Sequence, residues 1–159
     1  MKISVICVGK IKEKYFRDAI SEYEKRLSKY CKLEILEVQD EKTPDNASPA
    51  LEEQIKEKEA ARILKHIKDG AHVITLEIKG QELSSEKLAS RIELLGVQGK
   101  SHIQFIIGGS LGLSESISQI AHEKISFSKM TFPHQLMRVI LLEQIYRSYR
   151  IISGEPYHK

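Results

Sequence analysis

The residues best suited to chemistry are concentrated in the last third of the chain. Gly108-Gly109-Ser110-Leu111-Gly112 fits the pattern G-x-S-x-G after an apolar run and before a helical one, the setting of a nucleophile elbow. On that reading Ser110 attacks a carbonyl, His134 or His158 takes its proton, and Glu115 or Glu123 orients the histidine. No HGGG-type oxyanion loop accompanies it, and the chain is short for a hydrolase of that architecture. The other reading is a tight turn whose glycines let the backbone approach a ligand. We favour this second reading.

Phe127-Ser128-Lys129-Met130-Thr131-Phe132-Pro133 follows, with two aromatics, two hydroxyls and a methionine. Such a loop offers backbone edges for hydrogen bonds and apolar walls for a flat ring, as an adenine requires. It can equally be a strand-to-helix connection packed on the core. Beyond it come His134, Gln135, Arg138, Glu143, Tyr146, Arg147, Tyr149 and Arg150 on one helix. Arg138 near the helix start is suited to holding a phosphate or a base edge. Glu143 and Arg147, four apart, form an intrahelical ion pair on the plainest reading. Tyr157-His158-Lys159 either frays as a terminus or folds back to complete a site.

Some chemistries lack their motifs. There is no G-x-G-x-x-G and no G-x-x-x-x-G-K-[ST], and Gly9-Lys10 lacks the upstream glycine of a phosphate loop. A cofactor would therefore bind late in the chain. His66, His72, His102 and His122 are scattered without metal-ligand spacing, so no metal is expected.

The elements that must position these groups alternate. Apolar runs at Ile3–Val8, Leu33–Val38, Val73–Ile78, Ile103–Ile107 and Ile125–Phe127 read as strands. Helices are expected over about 13–30, from Ser48-Pro49 to Asp69-Gly70, from Ser84 or Ser85 to about 95, over about 114–121, and from Pro133 to about 152. In the second helix Leu51, Ile55, Ile63, Leu64 and Ile67 form the apolar stripe, and its Glu and Lys residues read as solvated surface. Lys79-Gly80 reads as a turn. Strands separated by helices predict an α/β fold with a parallel sheet and helices on both faces. Ligands bind such sheets outside the carboxyl ends of the strands, which aligns Leu76–Gly80, Gly108–Gly112 and Phe127–Phe132 along one rim.

Length and composition suit a single domain spanning residues 1–159: 41% of residues are hydrophobic and 30% charged. A net charge of +3 permits an anionic partner without demanding one. Cys7 and Cys31 read as buried thiols of a reducing cytoplasm. The apolar start is too short for a signal peptide, and no segment reaches membrane-spanning length, so a cytoplasmic protein is expected.

Taken together, the sequence resembles the RlmH family of SPOUT-class methyltransferases. The resemblance rests on Gly108-Gly109-Ser110-x-Gly112-Leu113, on Ser126 to Arg138 with its Pro133-His134-Gln135 block, on Leu142 to Arg147, and on Gly154-Glu155-Pro156-Tyr157-His158-Lys159. Val8-Gly9-Lys10 and Leu76-Glu77 also fit, and the resemblance covers the whole chain.

It implies a deep trefoil knot in the C-terminal third and a homodimer with its sites near the subunit interface. It implies S-adenosylmethionine bound at Leu76, Gly108, Phe127, Ser128, Lys129, Met130, Thr131 and Phe132. The implied reaction is methylation at N3 of a pseudouridine in helix 69 of 23S ribosomal RNA, on the assembled 70S ribosome. Within that frame Arg138 and His158 are the candidate catalytic residues. His134, Arg138, Tyr157 and His158 are the candidate substrate contacts, with Tyr157 stacking on the base. A serine hydrolase using Ser110 and a non-catalytic RNA-binding protein are the other readings.

Overall fold

Along the first apolar run, Ile3, Val5 and Cys7 enter one core while Ile6 and Val8 enter another. This period of two, apolar on both sides, marks a strand covered on both faces. The structure, a computed structural model, describes residues Met1–Lys159. Its elements are β1 (Lys2–Val8), α1 (Lys14–Leu27), β2 (Lys32–Val38), α2 (Pro49–Leu64), β3 (His72–Glu82), α3 (Ser85–Val97), β4 (His102–Ile107), α4 (Glu115–Ile120), β5 (Glu123–Ser126) and α5 (His134–Ile152). All strand pairs are parallel, in the order β2-β1-β4-β3-β5.

The larger core joins Ile3, Val5, Phe105 and Ile107 of the sheet to Ile20 and Leu27 of α1, Leu88 and Ile92 of α3, and Leu141 and Ile145 of α5. The smaller joins Ile6, Val8 and Ile106 to Ala60 and Ile63 of α2 and Ile117 of α4. Helices α1, α3 and α5 thus cover one face, and α2 and α4 the other. Serine side chains cap three helices: Ser48 accepts from Leu51 N at 3.2 Å, Ser84 from Lys87 N at 3.2 Å, and Ser114 from Ile117 N at 3.4 Å.

Three local expectations are corrected. Helix α2 ends at Leu64, not at Asp69-Gly70. Buried Gln104 of β4 explains the early stop: its Oε1 accepts from Lys68 N at 2.8 Å and its Nε2 donates to His66 O at 3.0 Å. Those two bonds hold the connection in a conformation a helix cannot supply.

Lys79-Gly80 is not a turn but part of β3. The pairing with β5 shifts between Leu76 and Gln81, both of which face Ile125. The chain bulges there, and Gly80 passes so close to β5 that a Cβ would lie 2.7 Å from the Ile125 carbonyl carbon.

Finally, the charged residues of α2 are not all solvated. Glu59 is only 5% exposed. It stands between Ile55 and Ile63 on the buried stripe, a spacing of four that was legible in the sequence.

Candidate active site

The carboxyl ends of β1, β4, β3 and β5 lie side by side, and their loops form one rim. After β4 the chain folds back on itself, with Gly112 N donating to Gly109 O at 3.0 Å. A Cβ on Gly108 would lie 2.8 Å from the Gly112 carbonyl carbon, so the turn is closed around its glycines. A Cβ on Gly109 would lie 3.3 Å from both carboxylate oxygens of Glu59. Glu59 also accepts from Glu41 N at 2.9 Å, so one buried carboxyl joins the loop after β2 to the glycine turn. Its desolvation raises the carboxyl's pKa above the usual range.

The hydrolase reading of this turn loses its geometry. A nucleophile elbow holds its serine in a strained conformation, but no residue other than glycine has positive φ. Ser110 is exposed. His134 packs against Gly9 at the end of β1. His158 is held by Arg147 and Glu86. The turn has the form of a close backbone approach instead.

After β5, the loop towards α5 is tied internally: Ser126 Oγ donates to Ser128 O at 3.0 Å and Met130 N to Ser128 Oγ at 3.0 Å. Lys129, Met130 and Thr131 are exposed, while Phe127 and Phe132 are half-buried. Phe127 borders a pocket of about 220 Å³ with Leu83, Ser85, Ile125, Ile140 and Gln144 among its walls. Leu76, half-buried on β3, packs against the same core. A backbone cradle without room for side chains, and a pocket at Phe127 that mixes apolar walls with serine hydroxyls, fit the adenosyl cofactor that the resemblance implies.

The N-terminal turns of α5 contribute a second cluster. Arg138 is 2% exposed. Its Nη1 donates to Glu37 Oε2 at 2.7 Å and its Nη2 to Gly9 O at 3.2 Å. In the single chain both Nη groups that would hold a phosphate or a base edge are thus engaged within the protein. The His134 ring lies against Gly9, where a Cβ would be 2.9 Å from Cε1. Burial, with the Arg138 charge beside it, pushes the His134 pKa down and keeps the imidazole neutral. His134 Nδ1 and Arg138 Nε are buried without hydrogen-bond partners. Cys7 lies beneath; burial pushes its thiol up to about 12, which makes it inert.

The tail forms a third cluster. Rather than fraying, it folds onto α5 and α3. Tyr157 OH donates to Glu143 Oε1 at 3.0 Å, and the Arg147 guanidinium lies 4.7 Å from the Tyr157 ring centroid. Arg147 also pairs with Glu143 at 2.6 Å. His158 Nε2 meets Glu86 Oε1 at 2.7 Å, at the start of α3 and next to pocket residue Ser85. Burial and the neighbouring Glu143 carboxylate push the Tyr157 pKa up to about 12, so its hydroxyl keeps its proton. Glu155 anchors the approach by accepting from Tyr30 OH at 2.7 Å.

Within one chain Arg138 and His158 do not meet. Nine residues of α5 separate Arg138 from Arg147, the partner of His158, roughly 13 Å of helix. Sequence reading also missed Glu37 and Glu86, which hold the two candidates, because they are 101 and 72 residues away along the chain. For Arg147 the intrahelical pair was legible and the contact with the tail was not.

A family model described as "Predicted SPOUT methyltransferase" matches residues 1–158. The "Ribosomal RNA large subunit methyltransferase H" of Bifidobacterium adolescentis is 67% identical over 159 residues, the whole of both chains. The "Ribosomal RNA large subunit methyltransferase H 1" of Clostridium perfringens is 62% identical, again over the whole of both chains. Among solved structures, a probable methylase family protein from Haemophilus influenzae superposes with a TM-score of 0.55 at 13% identity. That match covers 99% of this chain and 70% of the other, and it concerns the fold alone.

Proposed function

We propose, for a chain that belongs to the SPOUT methyltransferase family, the methylation of large-subunit ribosomal RNA with S-adenosylmethionine as donor. More finely, the proposed target is N3 of a pseudouridine in helix 69 of 23S RNA on the assembled 70S ribosome. The proposed active unit is a homodimer, and the deep trefoil knot is carried by family membership. The observation that supports this most strongly is the full-length likeness to relatives named for ribosomal RNA methylation, at 67% identity.

The bound donor supplies an electrophilic methyl group on a sulfonium. Leu76, Gly108 and the loop from Phe127 to Phe132, including Ser128, Lys129, Met130 and Thr131, are proposed to hold it through backbone groups and apolar walls. N3 must lose its proton as the methyl arrives, so a base beside the nucleobase would lower the barrier. His158 is the proposed acceptor, through Nδ1 once that nitrogen is released from the Arg147 N–H that it accepts in the resting chain. Tyr157 is proposed to stack on the base. His134 is proposed to line the substrate side, where its neutral ring excludes water.

Arg138 is proposed to stabilise the developing imide anion. Because Glu37 already offsets its charge, the larger catalytic share falls to His158. Since His158 in the tail is seated beside Arg147, nine residues along α5 from Arg138, a second copy of the chain that brings one chain's tail near the other's rim would unite them.

The test has two parts. Calorimetry with S-adenosylmethionine should show binding that Gly108→Val abolishes. Radiolabelled methyl transfer should favour 70S ribosomes over naked RNA and require pseudouridine rather than uridine at the target. Equal transfer to uridine would overturn the assigned nucleoside, and absence of donor binding by the folded protein would overturn the reading altogether.

A further inference from the structure

The connection between β1 and α1, together with the first turn of α1, brings four cations and one exposed aromatic ring together at the same rim as the glycine turn. Lys10, Lys12, Lys14 and Arg17 are all exposed. Only Lys14 is in an ion pair, with Asp18 at 2.8 Å. Tyr15 is 66% exposed, its ring 4.6 Å from that of Phe16. A tyrosine normally buries more of its ring than this, so the exposed face is available to a partner.

The backbone beneath these side chains is fixed. Ile11 N donates to Glu37 Oε2 at 3.1 Å, the same oxygen that receives Arg138. Lys12 N donates to Gln135 Oε1 at 3.2 Å, on the first turn of α5, and Arg17 Nη1 donates to Lys12 O at 2.9 Å. The arch is therefore tied to the helix that the Phe127–Phe132 loop enters. Its backbone, from which the cations project, keeps a set position relative to the proposed cofactor loops.

We propose that this arch is the surface that docks the substrate RNA, with Lys10, Lys12 and Arg17 on phosphates and Tyr15 stacked on an unpaired base next to the target. The inference rests on the reading of the chain as an RNA methyltransferase and adds to it the docking element. Cations that follow a backbone, with an aromatic face for a base, are the means by which proteins grip single-stranded and loop RNA. A preorganised arch also loses little freedom on binding. The modest net charge of the chain does not conflict, because the cations are local.

The experiment measures binding and methyl transfer on 70S ribosomes, and binding to the isolated hairpin RNA, as a function of salt. Lys10→Ala with Lys12→Ala should raise KM for ribosomes roughly tenfold and lower the salt slope of RNA affinity by about 0.7 per cation removed. Tyr15→Ala should weaken binding about tenfold with the salt slope unchanged, and Tyr15→Phe should restore it. Lys100→Ala, at the opposite end of the sheet, should change neither quantity. Calorimetry with S-adenosylmethionine reports whether each variant remains folded, and light scattering reports its oligomeric state.

Wild-type transfer with unchanged KM and salt slope in the arch variants would overturn the docking role alone. Conversion of a dimer to a monomer by Tyr15→Ala would overturn it in favour of a second copy on this face. If the wild-type protein neither binds nor methylates ribosomes, the arch and the methyltransferase reading fall together.

Discussion

Arg147 donates from Nη1 to Nδ1 of His158 at 3.1 Å. A guanidinium can only donate, so Nδ1 of His158 is the acceptor. The hydrogen of the neutral imidazole then sits on Nε2 and points at Glu86, 2.7 Å away. One arginine on α5 thus selects the tautomer of a residue at the end of the chain.

From this arrangement, His158→Ala should lower the single-turnover rate of methyl transfer by about a hundredfold, the range of one general base. Arg147→Lys should lower it less, because a lysine retains the charge but not the planar fork. Thermal midpoints within a few degrees of wild type would assign the loss to chemistry. Unchanged turnover in His158→Ala would remove the tail from the proton transfer.

Arg138→Ala should cost stability as well as activity. It leaves Glu37 without its counter-charge, held only by Ile11 N, and the Gly9 carbonyl without its donor, and we expect a loss of about 2–4 kcal/mol by chemical denaturation. The lower end applies if water reaches Glu37, whose side chain is about a third exposed. Rate measurements on this variant are interpretable only beside its unfolding curve. A variant of wild-type stability would contradict the enclosure of Arg138.

Gly80→Ala places a methyl group against the backbone of β5, which has no rotamer by which to yield. We expect a loss of about 2–3 kcal/mol and a lower melting temperature. Gly99→Ala serves as a comparison: its Cβ would meet nothing within 4 Å, and only its positive φ would be strained. A smaller effect at Gly80 than at Gly99 would rule out the close approach of β3 to β5.

Glu59 gives a pH signature. Burial raises its carboxyl pKa in the folded chain above the unfolded value near 4.5. The folded state therefore holds the proton more tightly, and this contribution to stability is present below pH 4.5 and lost as pH rises through the folded pKa. Glu59→Gln keeps an acceptor for Glu41 N and removes the buried charge. It should melt higher than wild type at pH 7, with the difference shrinking towards pH 4. A lower midpoint for Glu59→Gln at pH 7 would show that the charge itself stabilises the glycine turn.

Local sequence determined the types of the elements. Alternation in β1, the apolar run of β4 and the serine caps at Ser48, Ser84 and Ser114 are short-range signals, because strand pleat and helix capping involve residues at most a few positions apart. The rim was legible too, since loops rich in glycine and hydroxyls follow β4 and β5. Tertiary structure decided what those signals cannot carry. Gln104 stops α2 from strand β4, Gly80 is required by a backbone that pairs with it from beyond α4, and Arg138 is held by Glu37 of β2 and by Gly9, just after β1. The seat of the tail on Glu86 belongs to the same group. In each case the deciding contact joins residues tens of positions apart, and its free energy comes from burial and hydrogen bonding that exist only once the sheet has brought them together.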